Sequence, residues 1–144
     1  MLVQQILKSK ADARVMTIKP EMTVADAAAL LSEKRIGCLV VSSDGTHALG
    51  ILSERDVVRE VGRRGGACLS DKVSQIMTTA LITCTSHDNA EQIMQKMTDG
   101  RFRHLPVVEG DAMVGMISIG DVVKARLSEL SMEKEALEGM IMGY

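Results

Sequence analysis

Two serine–aspartate pairs are the residues of this chain best placed by type and spacing to do chemistry. Ser53 and Asp56 stand in the phrase Gly50-Ile-Leu-Ser-Glu-Arg-Asp-Val-Val, and Ser118 and Asp121 in Gly115-Met-Ile-Ser-Ile-Gly-Asp-Val-Val. A single Ser-x-x-Asp after an apolar run reads as a helix cap: the serine oxygen accepts an N–H of the first turn, and the acid suits the helix's positive end. The same geometry serves a ligand. A carboxylate at a helix start can accept two hydrogen bonds from neighbouring ribose hydroxyls, while backbone N–H groups and the serine hydroxyl face phosphate oxygens. Because the repeat keeps the glycine, serine and aspartate as well as the valines, it points to two copies of one binding element. Gly50 and Gly115 would let the backbone approach a ligand or a partner unit closely.

A nucleotide needs cations for its phosphates. Arg101, Arg103 and His104 supply them immediately before the apolar run at Leu105, and Arg55, Arg63 and Arg64 are further candidates; the alternative for each is a solvated surface position. The chain has one Phe (Phe102), one Tyr (Tyr144) and no Trp. An adenine would therefore sit between aliphatic side chains and be read by backbone groups, a modest grip suited to a sensor.

The elements that position these residues follow from periodicity. Val24, Ala27, Ala28 and Leu31 form an apolar helical stripe, and Ala90, Ile93, Met94 and Met97 form its repeat. Thr23 with Asp26, and Asn89 with Gln92, mark the helix starts. Each helix leads to a strand, a turn (Ser43-Asp-Gly; Glu109-Gly-Asp) and a second strand, then to a second helix at about 53–61 and 118–130. Strands at 15–18 and 81–84 complete a β-α-β-β-α order written twice, an α/β (α+β) fold whose two repeats pack about a pseudo-twofold axis. The bounds read as 1–66 for the first repeat with its N-terminal segment, 67–130 for the second, and 131–144 for a helical tail. Residues 62–67 read as a flexible basic loop. The tail's Leu130, Leu137 and Ile141 suit either a cover for the core or a dimer contact.

Composition narrows the classes. At 144 residues and 46% hydrophobic, the chain can bury a substantial core. The net charge of −2 and the scarcity of aromatics argue against nucleic-acid binding. No apolar stretch reaches membrane-spanning length and the N-terminus lacks signal-peptide character, so a cytoplasmic location is expected. The three cysteines, Cys38, Cys68 and Cys84, show no C-x-x-C spacing, and neither a disulfide framework nor a metal site is expected. His47, His87 and His104 lack metal-ligand spacing, and no Gly-x-Ser-x-Gly elbow or activated cysteine is present, so no catalytic residue is assigned.

With these phrases, Gln75-Ile-Met-Thr78 and Arg101-Phe-Arg-His-Leu-Pro-Val107, the chain from about residue 3 to 127 resembles a tandem pair of cystathionine-beta-synthase (CBS) domains. The resemblance implies a stand-alone regulatory module that binds adenosyl ligands in two clefts lined by both repeats, with no catalytic cofactor. AMP, ADP or ATP is the implied ligand, with NAD(H) as a further candidate. Ser53 and Asp56 would work with Thr78, Ile82, Phe102, Arg103 and His104; Ser118 and Asp121 would work with Ile36, Gly37 and Cys38. The first repeat has Gly37-Cys38-Leu-Val40 where the second has Arg103-His104-Leu-Pro106. The Asp121 cleft therefore has a weaker phosphate grip unless Lys8, Lys10 or Arg14 reaches it, and the Asp56 cleft is the stronger candidate. The resemblance also implies a homodimer and an unknown regulated protein partner. The alternatives are a structural protein-interaction pair with empty clefts, or an enzyme.

Overall fold

The computed structural model describes residues 1–10 and 15–143. The helices are α1 (Val3–Ser9), α2 (Val24–Lys34), α3 (Glu54–Arg64), α4 (Val73–Ile76), α5 (Ala90–Gly100) and α6 (Ile119–Met142), with a 3-10 turn at Gly65–Ser70. The strands are β1 (Thr17–Ile18), β2 (Cys38–Val41), β3 (Gly50–Ser53), β4 (His104–Glu109) and β5 (Ala112–Ser118). This is the mixed helix-and-strand fold expected of two β-α-β-β-α repeats.

The helix starts are set by local chemistry. Thr23 Oγ1 accepts from the Asp26 N–H at 3.2 Å, and Asn89 and Gln92 exchange reciprocal bonds at the start of α5. Both helices end on an arginine in the left-handed conformation, Arg35 (φ 54°) and Arg101 (φ 58°). The chain then turns back so that Ile36 N–H and Phe102 N–H reach the carbonyls of Leu31 and Met97.

Two compact units form, and they do not follow chain order. One comprises Val15–Ile82 with Gly110–Met113; the other comprises residues 1–10, Thr83–Glu109 and 114–143. The short helix that precedes each repeat thus packs with the other repeat, cutting across the sequence bounds of 66/67. In the first-repeat unit, α4 is docked by Val73 N–H to Met22 O (2.8 Å) and Val24 N–H to Asp71 O (2.9 Å). In the second-repeat unit, α1 is docked in the same way, by Val3 N–H to Asp88 O (2.8 Å) and Ala90 N–H to Met1 O (2.9 Å). Val73 and Ile76 join the core of Ile18, Val24, Leu31, Leu39, Val41 and Leu52. Val3 and Ile6 join that of Ala90, Ile93, Leu105, Val107, Ile117 and Val122.

The first-repeat unit holds a three-stranded sheet, β1-β2-β3, with β1 parallel and β3 antiparallel to β2. In the second-repeat unit β4 pairs with β5, and the strand expected at 81–84 is reduced to a single parallel bridge, Cys84 to Val107. Proline explains the loss. Cys84 N–H bonds Pro106 O, and Val108 N–H bonds Cys84 O, but the next rung requires an N–H from Pro106, which has none. Val40 fills the corresponding place in the first repeat, where β1 pairs over Thr17 and Ile18.

Two other expectations are corrected. Residues 62–67 are not a loop: α3 runs to Arg64 and the 3-10 turn follows, because Glu60, Arg64 and Asp71 tie the segment together. The tail is not a separate element either, since α6 continues unbroken from Ile119 to Met142.

Candidate functional site

Each Ser-x-x-Asp lies where a strand passes into a helix. Ser53 and Ser118 are the N-caps of α3 and α6, both extended (φ −110° and −99°), and each forms a full capping box with its aspartate. Asp56 N–H donates to Ser53 Oγ at 3.2 Å, and Ser53 N–H returns to Asp56 Oδ2 at 2.9 Å. The second pair repeats this at 3.1 and 2.9 Å. Capping is thus a real function of both motifs.

Beyond the cap, the two carboxylates differ. Asp56 is buried, and its second oxygen is engaged: Arg59 Nη1 donates to Oδ1 at 2.9 Å and Thr78 Oγ1 at 3.2 Å. Arg59 begins a chain of ion pairs, through Glu60 to Arg63 and Arg64 and on to Asp71. Arg64 lowers the pKa of Glu60 by hydrogen bonding, against the opposing effect of desolvation. Asp121 is more open, its side chain 22% exposed against 5% for Asp56. Lys10 Nζ reaches Asp121 Oδ2 at 3.0 Å and the Met116 carbonyl at 2.9 Å. Desolvation raises the Asp121 pKa, but the Ser118 N–H and the Lys10 ammonium outweigh it, so the carboxyl sits below its usual range.

The loops before β2 and β4 are held against these helix starts by one recurring bond. Glu54 N–H donates to Gly37 O at 3.0 Å, and Ile119 N–H donates to Arg103 O at 2.8 Å. Cys38 is directly paired with Ser53 across the β2–β3 ladder. Ile36 packs at the margin of the first-repeat core. Phe102 does so in the second-repeat unit, where Gly100 makes room for its ring: a Cβ there would lie 2.0 Å from Phe102 Cε2. His104 opens β4 and is half-buried.

The first-repeat unit therefore gathers Ser53, Asp56, Thr78, Ile36, Gly37 and Cys38, and also carries the exposed Ile82 and Arg55. The second-repeat unit gathers Ser118, Asp121, Phe102, Arg103 and His104, with Lys10 in contact and Lys8 exposed on α1. Arg14 lies outside the described residues. Arg59 was not singled out by sequence, although its place three residues after Asp56 on a helix is the spacing of an ion pair. The twin glycines have a structural cause. A Cβ on Gly50 would meet Met77 Sδ at 2.7 Å and the Thr78 carbonyl at 2.8 Å, and one on Gly115 would meet Leu7 Cδ2 at 2.9 Å. Among the described residues, no group of three or more His, Cys, Asp or Glu side chains is disposed to hold a metal ion, and no helix is long and apolar enough to cross a membrane.

Comparison with known proteins finds the CBS domain signature over residues 5–63 and 73–128. The chain is 38% identical over 148 aligned residues to the mitochondrial CBS domain-containing protein CBSX3 of Arabidopsis thaliana, covering 98% of this chain and 72% of that one. It superposes on the crystal structure of a CBS-domain containing protein from Agrobacterium tumefaciens with a TM-score of 0.83 and 41% identity, over 88% of this chain and 99% of the other. The CBS domain pair of protein MJ0100, crystallised with 5-methylthioadenosine and S-adenosyl-L-methionine, shares the fold at a TM-score of 0.76 and 22% identity, over 90% and 98% of the chains.

Proposed function

Because the chain belongs to the CBS domain family, carrying two CBS domains, we propose that it is a regulatory module that binds an adenine nucleotide and reports the bound state to a partner protein through a change of shape. The observation that carries this reading is the Asp121 site. A part-exposed carboxylate at a helix start, kept ionised at neutral pH, stands beside the Lys10 ammonium. The acid suits a ribose diol and the ammonium suits a phosphate. The adenosyl ligands crystallised with the MJ0100 domain pair support the ligand class. AMP, ADP and ATP are the proposed ligands, with NAD(H) next. On the family pattern, Arg103 and His104 are assigned to the phosphate side. The reading includes a homodimer and assigns no catalysis or catalytic cofactor.

Asp56 gives the second site a different character. A ribose there must displace Arg59 and Thr78 from Oδ1, so binding would break the head of the Arg59–Glu60–Arg64–Asp71 chain. That makes Asp56 the weaker site, the reverse of the ranking expected from the cations near His104, and the one better coupled to its surroundings.

Isothermal titration of AMP, ATP, NADH and S-adenosylmethionine against wild type, Asp121→Asn and Asp56→Asn tests the assignment. The expected result is binding of at least one nucleotide, weakened at least tenfold by Asp121→Asn. The geometry at Asp56, its oxygens all taken by the protein, favours a second reading, a structural pair whose aspartates only cap helices. Absence of binding by every compound, or equal binding by all three proteins, selects it.

A further inference from the structure

The joint between α3 and α4 is weak in its backbone. Gly62 lies inside α3, and Gly65 and Gly66 open the 3-10 turn that follows. Only Gly65 needs to be glycine, for its φ of 69°; a Cβ on Gly62 or Gly66 would stand in open space. A helical glycine that serves no packing need disfavours its helix about fivefold relative to alanine. The 3-10 turn runs for six residues, beyond the length at which its poorly aligned bonds usually persist. Between Val61 and Ser70 only Cys68 is buried, with Leu69 packed at the margin of the first-repeat core.

Side-chain charge holds the joint closed. Arg64, the last residue of α3, reaches back with Nε to Glu60 Oε2 at 3.0 Å and forward with Nη2 to Asp71 Oδ2 at 2.6 Å. Asp71 is itself anchored beyond the turn, its carbonyl accepting the Val24 N–H at 2.9 Å. One planar guanidinium therefore fastens the turn at both ends, which the single ammonium of a lysine cannot do. Glu60 is shared with Arg63 at 3.3 Å and with Arg59 at 3.6 Å, and Arg59 has its closer partner in Asp56 Oδ1 at 2.9 Å. Three guanidiniums thus face three carboxylates. Once Asp56 no longer holds Arg59, three cations crowd the one carboxylate of Glu60, and their repulsion weakens the grip of Arg64 on it.

We propose that residues 62–71 are a latch: Arg64 keeps it shut, and release of Arg59 from Asp56 lets it open and bare the Cys68 thiol to solvent. On the reading of Asp56 as a nucleotide site, on which this link to a ligand rests, a ribose at Oδ1 is what releases Arg59.

The test is iodoacetamide labelling of the full chain without nucleotide, with the protection of each thiol taken as its rate in urea over its native rate. Cys84, buried in the other unit, is the reference. Cys68 is expected to be at least tenfold less protected than Cys84, and Gly62→Ala/Gly66→Ala to raise its protection about fivefold or more. Arg64→Gln is expected to lower it roughly three- to tenfold, and Arg64→Lys to recover little of that loss. Asp56→Asn is expected to lower it roughly threefold. Adding Arg59→Gln to Asp56→Asn should restore it, because removing Arg59 relieves the crowding at Glu60 but cannot repair a damaged helix cap. Protection of Cys68 equal to or above that of Cys84, or no change with Arg64→Gln, overturns the latch. No loss in Asp56→Asn, or a loss that persists in Asp56→Asn/Arg59→Gln, overturns its control by Asp56. No arm uses a nucleotide, so a failure of every nucleotide to bind would overturn the ligand reading of Asp56 separately from the latch.

Discussion

Thr78 lies so close to Gly50 that a methyl group on that glycine would stand 2.8 Å from the Thr78 carbonyl oxygen. The approach is fixed by two backbone bonds, Ile51 N–H to Thr78 O and Thr78 N–H to Ile51 O, each 2.9 Å. Thr78 is therefore seated by the main chain, and its hydroxyl arrives at Asp56 as a consequence.

Gly50→Ala is expected to destabilise the fold by about 1–3 kcal/mol, because the backbone at Thr78 cannot give way as a side chain can. Gly115→Ala is expected to cost less, since only the flexible end of Leu7 opposes it. Urea denaturation of both variants checks the order. Equal losses would mean that the close approach at Thr78 does not limit this site.

Arg59→Gln removes the exposed cation from Asp56 while leaving the capping box intact. A loss of no more than about 1 kcal/mol is expected, since Arg59 is half exposed and solvent screens the pair. Nucleotide affinity at the Asp56 site should rise, because the competing donor is gone. Calorimetric titration reads this directly, and a fall in affinity would place Arg59 among the ligand's own contacts.

Asp121 has a lowered pKa in the folded chain, so the stability it confers is fully present above its unfolded value and is lost as pH falls through the folded one. The stability difference between wild type and Asp121→Asn should hold steady near neutrality and shrink below roughly pH 4. Lys10→Met should move the Asp121 titration upward, followed by carboxyl NMR. An unmoved titration would show that Ser118 alone holds the acid down.

Burial pushes the Cys84 thiol up to about 11. At pH 8 it should alkylate far more slowly in the native protein than in urea, because the thiolate is the nucleophile and little of it exists. Mass mapping of iodoacetamide adducts checks this, and native-state labelling as fast as in urea would require Cys84 to be reached by solvent.

How much of the fold and the site is legible in the sequence depends on the range of each interaction. The helix starts at Thr23 and Asn89, and the capping pairs Ser53–Asp56 and Ser118–Asp121, are settled within four residues, and residue type and spacing announce them. The missing strand before α5 is legible in principle, since Pro106 shows in the sequence that one rung lacks its donor. It escapes a linear reading because the rung lies across the ladder from residue 82 and not beside it. Arg59 at Asp56, and the choice of Lys10 among the three cations named for Asp121, are less accessible. Arg59 follows an ordinary helical spacing that many exposed pairs share, and Lys10 lies more than a hundred positions from its partner.

By itself, then, the amino-acid order determined that there are two copies of a β-α-β-β-α unit, where their helices begin, and that an acid stands at each strand–helix junction. These are matters of local periodicity and capping. Only the tertiary structure decided that α1 and α4 each pack with the opposite repeat. Both are short segments with few apolar residues, and each is fixed by backbone bonds, the α1 segment to Asp88 and Ala90 and the α4 segment to Met22 and Val24. That choice brings Lys10 to Asp121 and Thr78 to Asp56, and so makes one carboxylate open and the other occupied. The difference between the two sites is created by packing, because the residues that distinguish them come from segments far away along the chain.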